Sequence, residues 1–132
     1  IVRDDILGFL YRYQEMASPE ATPVQISQLR EALKADFAVD LSLWDLTRKK
    51  MVKRVANQLT LTNSGFDNGK NLVRSHRLWE TYLCDKMGYC GADIHRTAHE
   101  LEHYTDANMQ TELGQVMGNP IYDPHQRKIP EP

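Results

Sequence analysis

The stretch Val52-Lys-Arg-Val-Ala-Asn-Gln-Leu-Thr-Leu-Thr62 decides the fold of the first half of the chain. Two short runs with β-branched and apolar residues flank Asn57-Gln58, and this pattern predicts a two-stranded β-hairpin. Upstream of the hairpin, apolar residues recur at the spacing of an amphipathic helix in three segments, and Ser18-Pro19 to Pro23 ends the first of them. The helices are predicted over residues 3–17, 24–35 and 41–50. Three helices followed by a hairpin form the layout of a winged helix, in which the hairpin is the wing.

A long helix is predicted after the hairpin. Thr62 is a candidate cap for its start, although Gly65 and Gly69 weaken the first turns. Apolar residues then recur at helical spacing until the glycine-containing segment 88–91 ends the pattern.

A last helix is predicted to begin at the candidate N-cap Asp93 and to end at Gly118-Asn119-Pro120. We expect the proline-rich tail that follows to be extended. The fold class is therefore mainly α, with a helix-turn-helix and short β-hairpin followed by a helical domain. The predicted domains are residues 1–65 and 66–132.

The composition excludes several classes of protein. A formal net charge of −2 and a pI of about 6.2 provide no bulk basic charge for nucleic acid, so DNA contact would need a local patch. No apolar run has the roughly 18 residues of a membrane span, and there is no signal peptide. Cys84 and Cys90 form no CxxC pair and predict no disulfide framework, and isolated thiols fit a reducing cytosolic compartment. The start at Ile1 rather than Met suggests a fragment of a longer protein.

The stretch His95-Arg-Thr-Ala-His-Glu-Leu-Glu-His103 carries the main chemical signal. At helical geometry, His95, His99, Glu102 and His103 fall within an arc of about 100° and share one face. Imidazoles and a carboxylate on one face are the usual ligands of a divalent transition metal. The alternative is a solvated polar face of an amphipathic helix, and four such groups together favour the metal.

Two other groups are candidates to join this row. His76 and Glu80 lie at i, i+4 on the preceding helix, and an antiparallel turn brings them near His95; alternatively they are an ordinary surface pair. Asp4 and Asp5 open the first helix, either as ligands or as acids that the helix dipole favours. Two adjacent sites are therefore predicted. One contains His76, Glu80 and His95, and the other contains His99, Glu102 and His103, with Asp5 closing it.

A rival interpretation starts from His99-Glu-Leu-Glu-His103, which matches the HExxH motif of zinc peptidases. In that mechanism two histidines bind zinc and Glu100 is the general base. The metzincin continuation is absent after His103, and a small helical chain offers little of the cleft that a peptidase needs. We therefore expect no enzyme.

A basic cluster lies where the third helix meets the wing. It is either a phosphate-contacting patch or a solvated helix end. The acids in and just before the third helix, Asp36, Asp40 and Asp45, repel phosphates and do not favour base reading in a major groove. The basic cluster consists of Arg48, Lys49, Lys50, Lys53 and Arg54.

The sequence resembles the DtxR/MntR family of metal-dependent repressors along most of its length. The match is strongest in Ser75-His-Arg-Leu-Trp-Glu-Thr-Tyr-Leu83, in the stretch 95–103 and in Asp123-Pro-His125 with Ile129-Pro130. The resemblance implies an N-terminal winged-helix domain and a helical domain that binds metal and forms a homodimer. The aromatic faces are either its interface or plain core, and they contain Trp79, Tyr82 and Tyr104.

The resemblance also implies which residues bind metal. His76, Glu80 and His95 match ancillary-site ligands, whereas Glu102 and His103 match primary-site ligands. His99 stands where the family has Cys or Glu. Asp5 matches a ligand position in the first helix of the manganese branch, where Gly8 replaces a second acid. A nitrogen and oxygen donor set is compatible with Mn²⁺, Fe²⁺, Co²⁺ or Zn²⁺, and the resemblance favours Mn²⁺ or Fe²⁺.

A closer resemblance is to the DtxR-like cytosolic C-terminal domain of manganese, zinc and iron ABC-transporter permeases. The shared pattern is HRLWETYL, LEH and a final DPH followed by IP. It implies a metal-sensing regulatory domain on the cytosolic face of the inner membrane, with the membrane part of the transporter as partner. The alternative is a stand-alone, metal-dependent repressor that binds DNA, which the acids of the third helix disfavour.

Overall fold

The computed structural model describes residues 1–17 and 23–132. These residues form two compact units, Ile1–Lys70 and Asn71–Pro132. The predicted helix break at 18–23 lies outside the described residues except for Pro23.

The N-terminal unit contains three helices and a small antiparallel sheet, which confirms the winged-helix prediction. The helices are α1 (Val2–Met16), α2 (Ile26–Leu33) and α3 (Asp36–Arg48), and the strands are β1 (Val24–Gln25), β2 (Val52–Val55) and β3 (Gln58–Leu61). The strand order is β1-β3-β2. β2 and β3 are the predicted hairpin, with Val52 opposite Leu61.

Two boundaries in this unit differ from the sequence prediction. Residues 24–25 were expected to begin the second helix, but Val24 pairs with Leu59 and adds a third strand to the sheet. α3 begins at Asp36 rather than at Leu41, because Val39 on its first turns is fully buried and packs with the rest of the helix. The core of this unit includes Ile6, Leu7, Leu10, Leu29, Val39, Leu43, Leu46, Val52 and Leu59.

α4 (Asn63–Asp85) is one continuous helix of 23 residues. Thr62 caps it as predicted, because its Oγ1 accepts a hydrogen bond from the Gly65 N–H at 3.1 Å. The prediction that Gly65 and Gly69 merely weaken the helix start was incomplete. A Cβ at Gly65 would lie 1.9 Å from the Met51 carbonyl oxygen, and one at Gly69 would lie 2.8 Å from that of Leu7. The glycines therefore permit a close approach of backbones.

The C-terminal unit contains the second part of α4, α5 (Ile94–Glu102) and α6 (Ala107–Val116). The single last helix of the sequence prediction is wrong, since the chain leaves α5 after Glu102 and starts again at Asp106. The Asp106 side chain caps α6 by accepting a hydrogen bond from the Met109 N–H at 2.8 Å. That local bond competes with continued helix and sets the break.

The proline-rich tail is folded, which corrects the expected extended conformation. Tyr122 and Lys128 form an antiparallel bridge. Arg77 and Arg74 of α4 donate hydrogen bonds at 2.7 Å to the carbonyl oxygens of Lys128 and Pro130. Buried guanidinium groups need acceptors, and the tail carbonyls supply them.

Trp79 and Tyr82, but not Tyr104, pack against the core of the C-terminal unit. Leu78, Leu113 and Ile129 are buried together, and Trp79 and Tyr82 pack against them. Tyr104, in contrast, is 75% exposed.

Cys84 and Cys90 form a disulfide, so the expectation of isolated thiols is wrong. The sequence offered only their spacing, whereas the turn between α4 and α5 brings their sulfur atoms together. Within the described residues, no helix combines the length and the apolar character that crossing a membrane requires.

Candidate metal centre

Two helices of the C-terminal unit carry most of the predicted ligands. His76 and Glu80 lie one turn apart on α4, and only 3% of each side chain is exposed. Such burial excludes an ordinary surface pair. On α5, the His95 side chain is 63% exposed, whereas Glu102 at the end of the helix is buried.

His76 connects the two predicted groups of ligands. Its Nδ1 atom lies 2.6 Å from Oε2 of Glu102, and its Nε2 atom lies 3.0 Å from Oε1 of Glu80. The same Nε2 atom lies 3.1 Å from Nδ1 of His95. The imidazole therefore joins α4 to α5 through the Glu102 carboxylate, while it also binds Glu80 on its own helix.

Burial and neighbouring charges shift the pKa values of His76 and Glu80 in opposite directions. Burial lowers the pKa of His76, but the hydrogen bonds from its ring to Glu102 and Glu80 outweigh burial and raise the pKa above its usual 6.5. Burial raises the pKa of Glu80, but the hydrogen bond from His76 and the neighbouring histidine charges outweigh it and lower the pKa below 4.5. Below the raised pKa of His76, the metal-free cluster is an imidazolium between two carboxylates.

The structure brings the ligands of the C-terminal unit into two neighbouring groups. His76, Glu80 and His95 offer ligand atoms within 4.8 Å of one another. In the second group, Nε2 of His99 and Nε2 of His103 lie 4.0 and 3.9 Å from Oε1 of Glu102. Glu102 thus turns one oxygen to His76 and the other to the second group.

Asp5 lies in the first turn of α1, beside Asp4, in the N-terminal unit. Its assignment as a ligand stays a prediction from the sequence.

Sequence reasoning missed two tail residues as candidate ligands. Glu80, Asp123 and His125 offer ligand atoms within 4.8 Å of one another, and Nδ1 of His125 lies 3.3 Å from Oε2 of Glu80. Oδ1 of Asp123 accepts the backbone N–H groups of His125 and Arg127. The available signal was the motif Asp123-Pro-His125, which pairs a carboxylate with an imidazole two residues away.

These donors fit a divalent cation. Oε2 of Glu80 and Oδ2 of Asp123 are buried and make no hydrogen bond with any residue that the structure describes. A buried carboxylate oxygen without a donor is costly unless a cation compensates it. Imidazole nitrogens together with carboxylate oxygens suit first-row metals such as manganese, iron and zinc.

The basic cluster Arg48–Arg54 is exposed, and its first members interact with α3 itself. Arg48 and Lys49 form ion pairs with Asp45 at 3.0 and 3.2 Å. Hydrogen bonds from Arg48 and Arg3 hold the pKa of Asp45 well below its usual value. Glu100, the base of the peptidase interpretation, is exposed.

Residues 62–131 match the family described as iron dependent repressor, metal binding and dimerisation domain. The chain belongs to the iron-dependent repressor family. The match covers every predicted ligand except Asp5, so the ligand row lies in the family's metal-binding domain. The family description names a repressor.

Two curated relatives of this iron-dependent repressor domain are named as metal transport system membrane proteins. A probable metal transport system membrane protein of Chlamydia trachomatis serovar D is 38% identical over 86 residues, 65% of this chain and 19% of that protein. A probable metal transport system membrane protein of Chlamydia pneumoniae is 31% identical over 129 residues, 98% of this chain and 25% of that protein. The chain thus spans a quarter or less of these curated relatives.

Among solved structures, a manganese-dependent transcriptional repressor in complex with manganese is similar along nearly the whole chain. The TM-score is 0.87 at 28% identity, and the match covers 98% of this chain and 58% of that one.

Proposed function

We propose that this chain is the metal-sensing regulatory part of a metal-ion transporter, with Mn²⁺ or Fe²⁺ as the favoured ion and Zn²⁺ or Co²⁺ as compatible ones. One observation carries the proposal. The buried Glu80 carboxylate is surrounded by nitrogens of His76, His95 and His125, and its Oε2 makes no hydrogen bond with a described residue. A bound cation compensates the negative charge of the Glu80 carboxylate.

We assign the ligands to two sites. Asp5, His99, Glu102 and His103 form the primary site, and His76, Glu80 and His95 form the ancillary site, to which Asp123 and His125 are added. Asp5 is assigned on the sequence resemblance alone. The domains are the predicted winged helix over 1–65 and the metal-binding and dimerisation domain over 66–132.

His76 couples the two proposed sites, because its two ring nitrogens face carboxylates that belong to different sites. If Nε2 of His76 held a cation, the proton that faces Glu80 would have to leave, while Nδ1–H would continue to donate to Oε2 of Glu102. That bond orients Glu102 so that Oε1 faces His99 and His103. Filling one site therefore biases the geometry of the other.

Titration calorimetry with Mn²⁺ tests the metal sites. We expect His99→Ala with His103→Ala, and separately His76→Ala with Glu80→Ala, each to remove one class of sites. Glu100→Ala, an exposed change on the same helix, is the matched control and keeps wild-type stoichiometry. Unchanged stoichiometry and affinity in both double variants would refute the proposal.

The transporter setting rests on the two chlamydial relatives named as metal transport system membrane proteins. We propose that the domain lies on the cytosolic face of the membrane, and that metal binding shifts the arrangement of its two units and limits uptake. A homodimer is proposed because the family domain is one of dimerisation.

The second candidate is a stand-alone DNA-binding repressor, which the winged helix and the manganese-dependent repressor structure favour. A gel-shift titration with the native promoter, with and without Mn²⁺ at stated salt, separates the two. The transporter proposal expects no specific complex. Metal-dependent, sequence-specific binding below micromolar would instead support the repressor.

A further inference from the structure

α3 presents an apolar stripe to solvent. Phe37, Leu41 and Trp44 are 81%, 58% and 63% exposed. With Arg48 they fall within an arc of about 60° on one helix face. The opposite face carries the core residues Val39, Leu43 and Leu46, so the stripe is not a part of the core.

The acids beside this stripe are compensated by arginines. Arg30 pairs with Asp40 at 2.6 Å, and Arg3 pairs with Asp45 at 2.7 Å. Arg48 also pairs with Asp45. The carboxylates of Asp40 and Asp45 are therefore compensated by these cations.

The stripe ends in positive charge. The Arg48 guanidinium lies 5.2 Å from the centre of the Trp44 ring. The basic cluster Arg48–Arg54 continues from there with five exposed cations in seven residues. An apolar face with a tryptophan and a cationic end is typical of helices that lie at the interface of anionic membranes.

The shape of the face favours lipid over nucleic acid. A row of Phe, Leu and Trp offers only the indole N–H to a base edge, whereas groove recognition needs several donors and acceptors. Protruding apolar side chains enter a bilayer without a matching pocket. A cleft of about 300 Å³ lies beside Leu41 and Trp44, with Arg3 and Asp45 on its wall.

We propose that the α3 stripe docks on an anionic phospholipid surface. Phe37, Leu41 and Trp44 enter the headgroup region, while Arg48 and the following lysines contact lipid phosphates. The inference rests on the proposed attachment to a membrane transporter, which holds the N-terminal unit near a bilayer.

Vesicle co-sedimentation of the whole chain tests this docking. We expect sedimentation with vesicles of phosphatidylglycerol and phosphatidylcholine but not of phosphatidylcholine alone, with loss at high salt. Phe37→Ser with Leu41→Ser should weaken partitioning about tenfold or more, because two apolar side chains leave the interface. Val116→Ser, 59% exposed on α6, is the matched control and keeps wild-type partitioning.

Trp44 supplies a direct reporter of the contact. In a Trp79→Phe background its emission should shift to shorter wavelength when anionic vesicles are added. No sedimentation with anionic vesicles, equal partitioning of the Phe37→Ser, Leu41→Ser variant, or a Trp44 shift with duplex DNA alone overturns the docking proposal. Mn²⁺ calorimetry on the same variant distinguishes this failure from failure of the metal sensor.

Discussion

The His76 imidazole binds a proton in the metal-free chain, and it is also a proposed ligand of the metal. Its raised pKa means that its bonds to Glu102 and Glu80 stabilise the metal-free fold fully at pH 6.5 and below, and this stability is lost as pH rises through the folded pKa. The lowered pKa of Glu80 acts from the other side, since its stabilisation is present above pH 4.5 and is lost in acid.

We therefore expect the metal-free chain to be most stable between about pH 4.5 and 6.5. His76→Gln should remove the loss of stability that accompanies a rise in pH above this range, called here the alkaline loss. Thermal unfolding in chelator across this pH range measures it. His99→Gln, a half-exposed histidine on α5, is the control and keeps the alkaline loss. A His76→Gln profile with the same alkaline limb as the wild type contradicts the prediction.

At the scale of elements, α4 depends on a glycine where its first turn approaches another backbone. Gly65→Ala places a Cβ 1.9 Å from the Met51 carbonyl oxygen. Because backbone cannot yield as a side chain does, we expect a loss of about 2–3 kcal/mol in the free energy of unfolding. Urea unfolding followed by Trp44 fluorescence measures it. Gly91→Ala, whose Cβ meets nothing within 4 Å, should change stability little, and equal effects at both positions would contradict the close-approach argument.

For the whole molecule, metal binding is a source of folding free energy. Mn²⁺ at 100 times its dissociation constant should add about 2.7 kcal/mol per site, and chelator should reverse the gain. The gain should shrink below about pH 6, because protons compete for the histidines.

Single-tryptophan backgrounds separate the two units, since Trp44 reports on the first in Trp79→Phe and Trp79 reports on the second in Trp44→Phe. If Asp5 is a ligand, Mn²⁺ raises the unfolding midpoint seen by either tryptophan. Asp5→Asn should then abolish the effect at Trp44 while it leaves much of the effect at Trp79. Asp4→Asn is the neighbouring control. Equal gains at Trp44 in wild type and Asp5→Asn would remove Asp5 from the site.

The sequence alone determined the features that depend on periodicity. The hairpin of β2 and β3 follows from alternation around Asn57-Gln58, and the ligand row 95–103 follows from helical spacing. Tertiary structure decided what joins these features. The pairing of β1 with β3 and the meeting of Asp123 and His125 with Glu80 arise between segments distant in the chain, so periodicity does not predict them. The disulfide joins cysteines six residues apart, but it depends on the turn after α4, which their spacing alone did not predict. Arg74 and Arg77 hold the tail by donating hydrogen bonds to backbone carbonyl oxygens. Because every residue has a backbone carbonyl, no pattern of side chains predicts this contact.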